Sequence, residues 1–157
     1  MAVTVSNRML YILILLAFLA DRFSKLWAVN YLAEYGTTRF NALFTLRETY
    51  NRGIAFGLFQ GVGPIVGWLT ILVVLGLFVY VHTLPVNMRL MRWGLALVIG
   101  GALGNLLDRV TVGQVLDFIE SPLRPGIFNV ADVMINLGMI LTLVGAIWQS
   151  SVTGSVD

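Results

Sequence analysis

The sequence has no cysteine and one histidine, His82. Disulfides, thiolate nucleophiles and cysteine-built zinc sites are thereby excluded. So is a histidine-built metal site, and no HExxH occurs. Charge is equally scarce. Only 11% of the 157 residues are charged, against roughly a quarter in a soluble domain. Basic residues are scattered, the net charge is +2 and no aromatic stripe is interleaved with them. Nothing there fits nucleic acid. What is abundant is apolar: 58% of the chain, with a mean hydropathy of +0.86. Lipid tolerates an apolar exterior and penalises charge, so the chain reads as one integral-membrane domain over 1–157.

Four apolar segments stand out, at about 9–29, 65–84, 93–107 and 133–148. A spanning helix needs roughly 20 residues. The third and fourth reach that length when their polar ends join the helix, giving spans of about 93–109 and 130–148. Arg8, the apolar run 9–20 and small Ala17 and Ala20 imitate a secretory signal. Asp21, Arg22 and Lys25 follow at once, and the helical pattern continues through Trp27 and Val29. A retained first membrane helix is the better reading. Two long loops remain, about 30–64 and 110–129. Residues 40–59 of the first read as short strands. The second carries the breakers Gly113, Pro122, Pro125 and Gly126. An even number of spans puts both termini on one side and both long loops on the other. Basic residues are too evenly divided to say which side is which. The polar tail 150–157 is expected to be disordered.

Ionisable residues collect at the loop-bearing ends of these spans: Asp21 and Lys25, Asp108 and Arg109, Asp117, and Asp132. Charge at membrane depth is costly, so such a cluster is a functional hypothesis by default. Each member also has a plain structural role open to it. Asp21 and Lys25, one turn apart, can form an ion pair. Arg22 is expected to snorkel to headgroups. Asn129 and Asp132 are spaced as a capping-box variant. Gly100 and Gly104 form a GxxxG for close helix packing, and Asn105 is placed to bond across the bundle. A serine triad would need His82, on the far side. Ser24 and Lys25 are adjacent and face apart. Paired carboxylates are the hydrolytic chemistry left, because two close aspartates share a proton and can activate water.

Five stretches, in order, carry a resemblance: Asp21-Arg22-Phe23-Ser24-Lys25, Asn51-Arg52-Gly53-Ile54-Ala55-Phe56, Gly101-Ala102-Leu103-Gly104-Asn105-Leu106-Leu107-Asp108-Arg109, Val115-Leu116-Asp117-Phe118-Ile119 and Phe128-Asn129-Val130-Ala131-Asp132. The chain resembles the lipoprotein signal peptidases, also called signal peptidase II. The resemblance implies an all-α membrane protein, a four-transmembrane-helix bundle with a small extracytoplasmic β-rich cradle. It places the chain in the bacterial inner membrane with both termini cytoplasmic. It implies an aspartyl endopeptidase with Asp117 and Asp132 catalytic. Asp21, Lys25, Asn51, Gly53, Gly104, Asn105, Asp108, Arg109, Asn129 and Ala131 would bind substrate or support the site. The implied substrate is a diacylglyceryl-modified prolipoprotein, cut just before the lipidated cysteine, in contact with membrane lipids. Inhibition by globomycin-type cyclic peptides, no cofactor and a monomeric enzyme are expected. Asp132, at a helix N-terminus, would be the ionised partner and Asp117 the protonated one. The rival reading is a small membrane transporter or proton-relay subunit. The one-ended charge cluster and the absence of paired broken helices count against it.

Overall fold

The computed structural model describes residues 2–53 and 63–153. Its elements run α1 (Ala2–Tyr35), β1 (Thr38–Arg39), β2 (Thr45–Asn51), α2 (Gly63–Thr83), α3 (Arg89–Thr111), β3 (Val115–Ser121), β4 (Arg124–Phe128) and α4 (Val130–Thr153). Among the described residues three helices are long and apolar enough to cross a membrane, over Val66–Thr83, Arg89–Thr111 and Val130–Gln149. Their outward faces carry exposed Leu69, Leu72, Val79, Ile140 and Leu143, which suits lipid and not water. α1 is 34 residues long. Asp21, Arg22 and Lys25 interrupt its apolar run, so it falls outside that set of three.

α3 is the central helix, packed on α1, α2 and α4. Its glycines set how close the neighbours come. A Cβ on Gly100 would lie 2.5 Å from the Ile14 carbonyl oxygen, and one on Gly101 2.6 Å from that of Ala131. A Cβ on Gly104 would overlap the Asp21 carboxyl group, 2.9 Å from its Cγ. The GxxxG thus brings α1 onto α3, and Gly104 makes room for a charge. Gly104→Ala is expected to cost about 1–3 kcal/mol through overpacking. The check is a lower unfolding midpoint in detergent, with Gly76→Ala, which meets open space, as the control.

The second loop holds a β-hairpin that breaker residues concealed. β1 to β4 form one antiparallel sheet in chain order. α3 ends where the N–H groups of Val112 and Gly113 reach back to the carbonyls of Asp108 and Arg109. Gly113 takes φ +77°, the left-handed conformation that glycine tolerates at a helix end. The chain then enters β3 at once. Pro122 and Leu123 make the turn between Ser121 and its partner Arg124, and Gly126 at φ +78° lies where the register shifts. Leu116 and Phe118 on one face of β3 pack on Ala28, Leu32 and Leu46. Asp117 therefore points to the other face.

The strands expected within 40–59 are found at β2, and residues 54–59 lie outside those described. The tail differs from expectation. α4 continues through Thr153, so 150–153 are helical, while 154–157 lie outside the described residues. At the end away from the sheet, buried Arg92 donates to the carbonyls of Val81 and Leu84 and to Asn7 Oδ1. That bond set closes the α2–α3 turn onto α1. His82 lies at this end, bonded to the Tyr11 hydroxyl and the Phe78 carbonyl.

Candidate active site

Helix ends and one sheet face converge on a polar centre. Its foundation is four charges at the α1–α3 contact. Lys25 Nζ lies 2.9 Å from Asp21 Oδ2 and 2.7 Å from Asp108 Oδ2. Arg22 holds Asp108 Oδ1 at 2.5 Å. Asp21 is fully buried and Lys25 nearly so. Such a group persists at membrane depth only when each charge is paired. Arg22 therefore corrects an expectation. It turns inward onto Asp108 and the Gly104 carbonyl rather than out to headgroups. An available carboxylate at that depth outcompetes a longer reach to the interface.

From this foundation, hydrogen bonds run to two aspartates. Lys25 Nζ donates to Asn105 Oδ1 at 3.0 Å. With its carbonyl so engaged, Asn105 presents Nδ2 to Asp132 Oδ1 at 3.1 Å. Asn129 Nδ2 donates to Asp117 Oδ1 at 2.7 Å, and contacts Asn105 Oδ1 and the Leu116 carbonyl as well. Asn51 Nδ2 reaches Asp117 Oδ2 at 3.3 Å from the neighbouring strand. Thr49 pairs with Asp117 across the β2–β3 ladder, and Asn51 shares Thr49's face two residues on.

The α4 N-terminus supplies the second aspartate. The Asp132 N–H donates to Asn129 Oδ1 at 3.0 Å, and the Asn129 N–H donates to Asp132 Oδ2 at 3.4 Å. This is the reciprocal capping pair that the spacing predicted. The Ala131 N–H donates to Asp21 Oδ1 at 3.1 Å, so the buried charges also fix the start of α4. The Gly53 N–H bonds Asn51 Oδ1, and the Gly53 carbonyl accepts from Arg109 Nη2 at 3.3 Å.

Asp117 and Asp132 line one cavity of about 80 Å³ together with Asn51, Asn105, Arg109 and Arg124. That exceeds what one water needs, roughly 10–15 Å³ for its centre. The Asp117 carboxyl is pushed up to about 7. Burial is the main cause and the nearby Asp132 charge the second, opposed by the amide donors of Asn51 and Asn129 and by Lys25. Asp117 is thus raised toward neutral pH beside a second carboxyl lining the same cavity. An apolar groove of about 330 Å³ between α2, α3 and α4 shares Asn105 and Arg109 with this cavity. Leu69, Val73, Leu77 and Val98 line it, and Asn105 and Arg109 form its polar end.

All twelve residues singled out in the sequence meet in this one network. Two further partners, Arg22 and Arg124, were not expected in the site. Arg22 stands inside a quoted stretch, and its pairing depends on how α1 meets α3. Arg124 lies 3.9 Å from Asp132 Oδ2 and stacks over Phe128. Its one signal is a lone cation among turn residues ahead of Asp132.

The family described as Signal peptidase (SPase) II matches residues 13–148. A lipoprotein signal peptidase of Gloeobacter violaceus is 36% identical over 149 residues, which cover 94% of this chain and 86% of that one. One from Clostridioides difficile is 37% identical over 151 residues, covering 91% and 98%. A solved bacterial membrane enzyme superposes with a TM-score of 0.77 at 25% identity, covering 91% of this chain and 90% of its own.

Proposed function

The chain belongs to the signal peptidase II family, and from that premise we propose that Asp117 and Asp132 are the catalytic pair of an aspartyl endopeptidase. It removes the signal peptide of diacylglyceryl-modified prolipoproteins by cutting immediately before the lipidated cysteine. The observation that carries the reading is the shared cavity, with one carboxyl raised to about 7 by burial and by the other.

Asp132 acts as the base. It lies in the first turn of α4 and accepts from the Asn105 side-chain amide and the Asn129 N–H. Asp117 holds the proton. Water bound between them gives a proton to Asp132 as its oxygen attacks the scissile carbonyl carbon. Asp117 hydrogen-bonds the carbonyl oxygen and stabilises the charge that develops there. Collapse breaks the C–N bond, and the proton held by the pair passes to the leaving cysteine amine. The products are the lipid-modified protein and the freed signal peptide.

The membrane placement follows the same reading. α1 is the fourth span, making a four-helix bundle in a single domain. Its charges Asp21 and Lys25 are turned into the protein, while Leu15, Leu16 and Leu26 face outward. Both termini are cytoplasmic, and the sheet and cavity lie at the extracytoplasmic face of the inner membrane. The apolar groove takes the substrate's apolar chain and holds the scissile bond at the polar end. Globomycin-type cyclic peptides occupy that same groove. The enzyme acts as a monomer.

The test is cleavage of a diacylglyceryl-modified peptide beside its unlipidated twin. Lipidated peptide is cut at the bond before cysteine and the twin is spared; equal cleavage of both sinks the substrate assignment. In the same assay kcat/KM falls as pH rises through about 7, because Asp117 must keep its proton. Asn51→Ala removes a donor that favours the Asp117 carboxylate. The alkaline limb therefore moves to higher pH. A limb that stays put or moves down contradicts the assignment of the proton.

A further inference from the structure

We propose that the turn at 40–44, between β1 and β2, is a wedge that seats the sheet in lipid at the aspartate end of the bundle. This rests on the membrane placement given above. The turn exposes three large apolar side chains: Phe40 is 53% exposed, Leu43 45% and Phe44 44%. A cluster of this kind on a short connection is unfavourable in water.

The backbone of the turn is equipped for an apolar setting. The N–H groups of Phe40 and Asn41 donate to the Phe44 carbonyl. Those of Leu43 and Phe44 donate to Asn41 Oδ1 at 2.8 and 2.9 Å. Arg39 Nε donates to the Asn41 carbonyl at 3.2 Å. Four amides and two carbonyls are thus satisfied within the turn, which lowers the main cost of placing a loop against lipid.

Position agrees. Trp27, Tyr31 and Tyr35 form a ladder of ring contacts along α1, and Phe40 joins it 5.8 Å from Tyr31. Tyr31 lies six residues beyond Lys25, about 9 Å along the helix at 1.5 Å per residue. The turn is therefore level with the zone just beyond the Lys25–Asp108 pair, where aromatic side chains meet headgroups. It extends the apolar exterior formed by Phe23, Leu26 and Trp27. Arg39 is exposed beside the turn, a cation of the kind that pairs with lipid phosphates. Seated in this way, the turn holds β2 at a fixed height. Asn51 at the other end of β2 is then held level with Asp117.

The absence of native cysteine makes the test direct. Leu43→Cys and, separately, Phe44→Cys carry a nitroxide in nanodiscs of anionic phospholipid, with Ile140→Cys on the exposed face of α4 as reference. Collisions with oxygen, which concentrates in lipid, are compared with those of a water-soluble nickel chelate. Oxygen is expected to dominate at Leu43 and Phe44 as it does at Ile140. Chelate dominance at both turn positions, with Ile140 still in lipid, overturns the wedge alone. Chelate dominance at Ile140 overturns the membrane placement beneath it. Spin–spin broadening at Leu43 that disappears on dilution with unlabelled protein means a second copy covers the turn, and also overturns the proposal.

Discussion

Asp117→Asn and Asp132→Asn each leave a folded protein that cleaves lipidated peptide at least roughly 10²–10⁴-fold more slowly, the range lost with a positioned general acid or base. An amide at 117 has no proton to give at neutral pH. An amide at 132 cannot take one from water. Neither aspartate belongs to the buried charge group of Asp21, Arg22, Lys25 and Asp108, so unfolding midpoints should remain near that of the parent. Each amide also keeps an oxygen to accept the bonds from Asn129 and Asn105. Loss of rate without loss of fold is the signature. Loss of both together would mean that the aspartates are structural.

Lys25→Met has the largest expected effect on stability. The ammonium group has three partners, Asp21, Asp108 and Asn105, and only 2% of its side chain is exposed. Removing it leaves two carboxylates short of a buried cation, which costs about 3–5 kcal/mol. Thermal unfolding in detergent measures this directly. Lys25→Met/Asp21→Asn should recover part of the loss, because one stranded charge is then neutral. A double variant less stable than Lys25→Met would mean that packing, not charge, governs the site. Activity falls too, since Asn105 loses the donor that turns its amide toward Asp132.

Three membrane-capable helices were readable from apolar run length, because spanning helices need little beyond continuous apolarity. The bounds were less so. α1 extends to Tyr35 and α3 begins at Arg89. Helical flanks that carry charge look like loop until their partners are known. The β3–β4 hairpin was hidden for a different reason. Pro122, Pro125 and Gly126 signal breaks, and here they serve a turn and a register shift inside a ladder. The pairing of Asn129 with Asp132 was legible because capping is local. Arg22 on Asp108 and Arg124 near Asp132 are contacts between distant elements. No local spacing encodes them. The five motif stretches named the candidate residues, and the Lys25–Asn105–Asp132 chain of bonds needed coordinates.

The most direct test of the central claim is single-turnover cleavage of lipidated peptide by the parent, Asp117→Asn, Asp132→Asn and the double variant. Two carboxyls acting on one water form a unit, so the double variant should be no slower than the slower single one. Losses that multiply, or an Asp117→Asn protein that cleaves at nearly the parent rate, would contradict it.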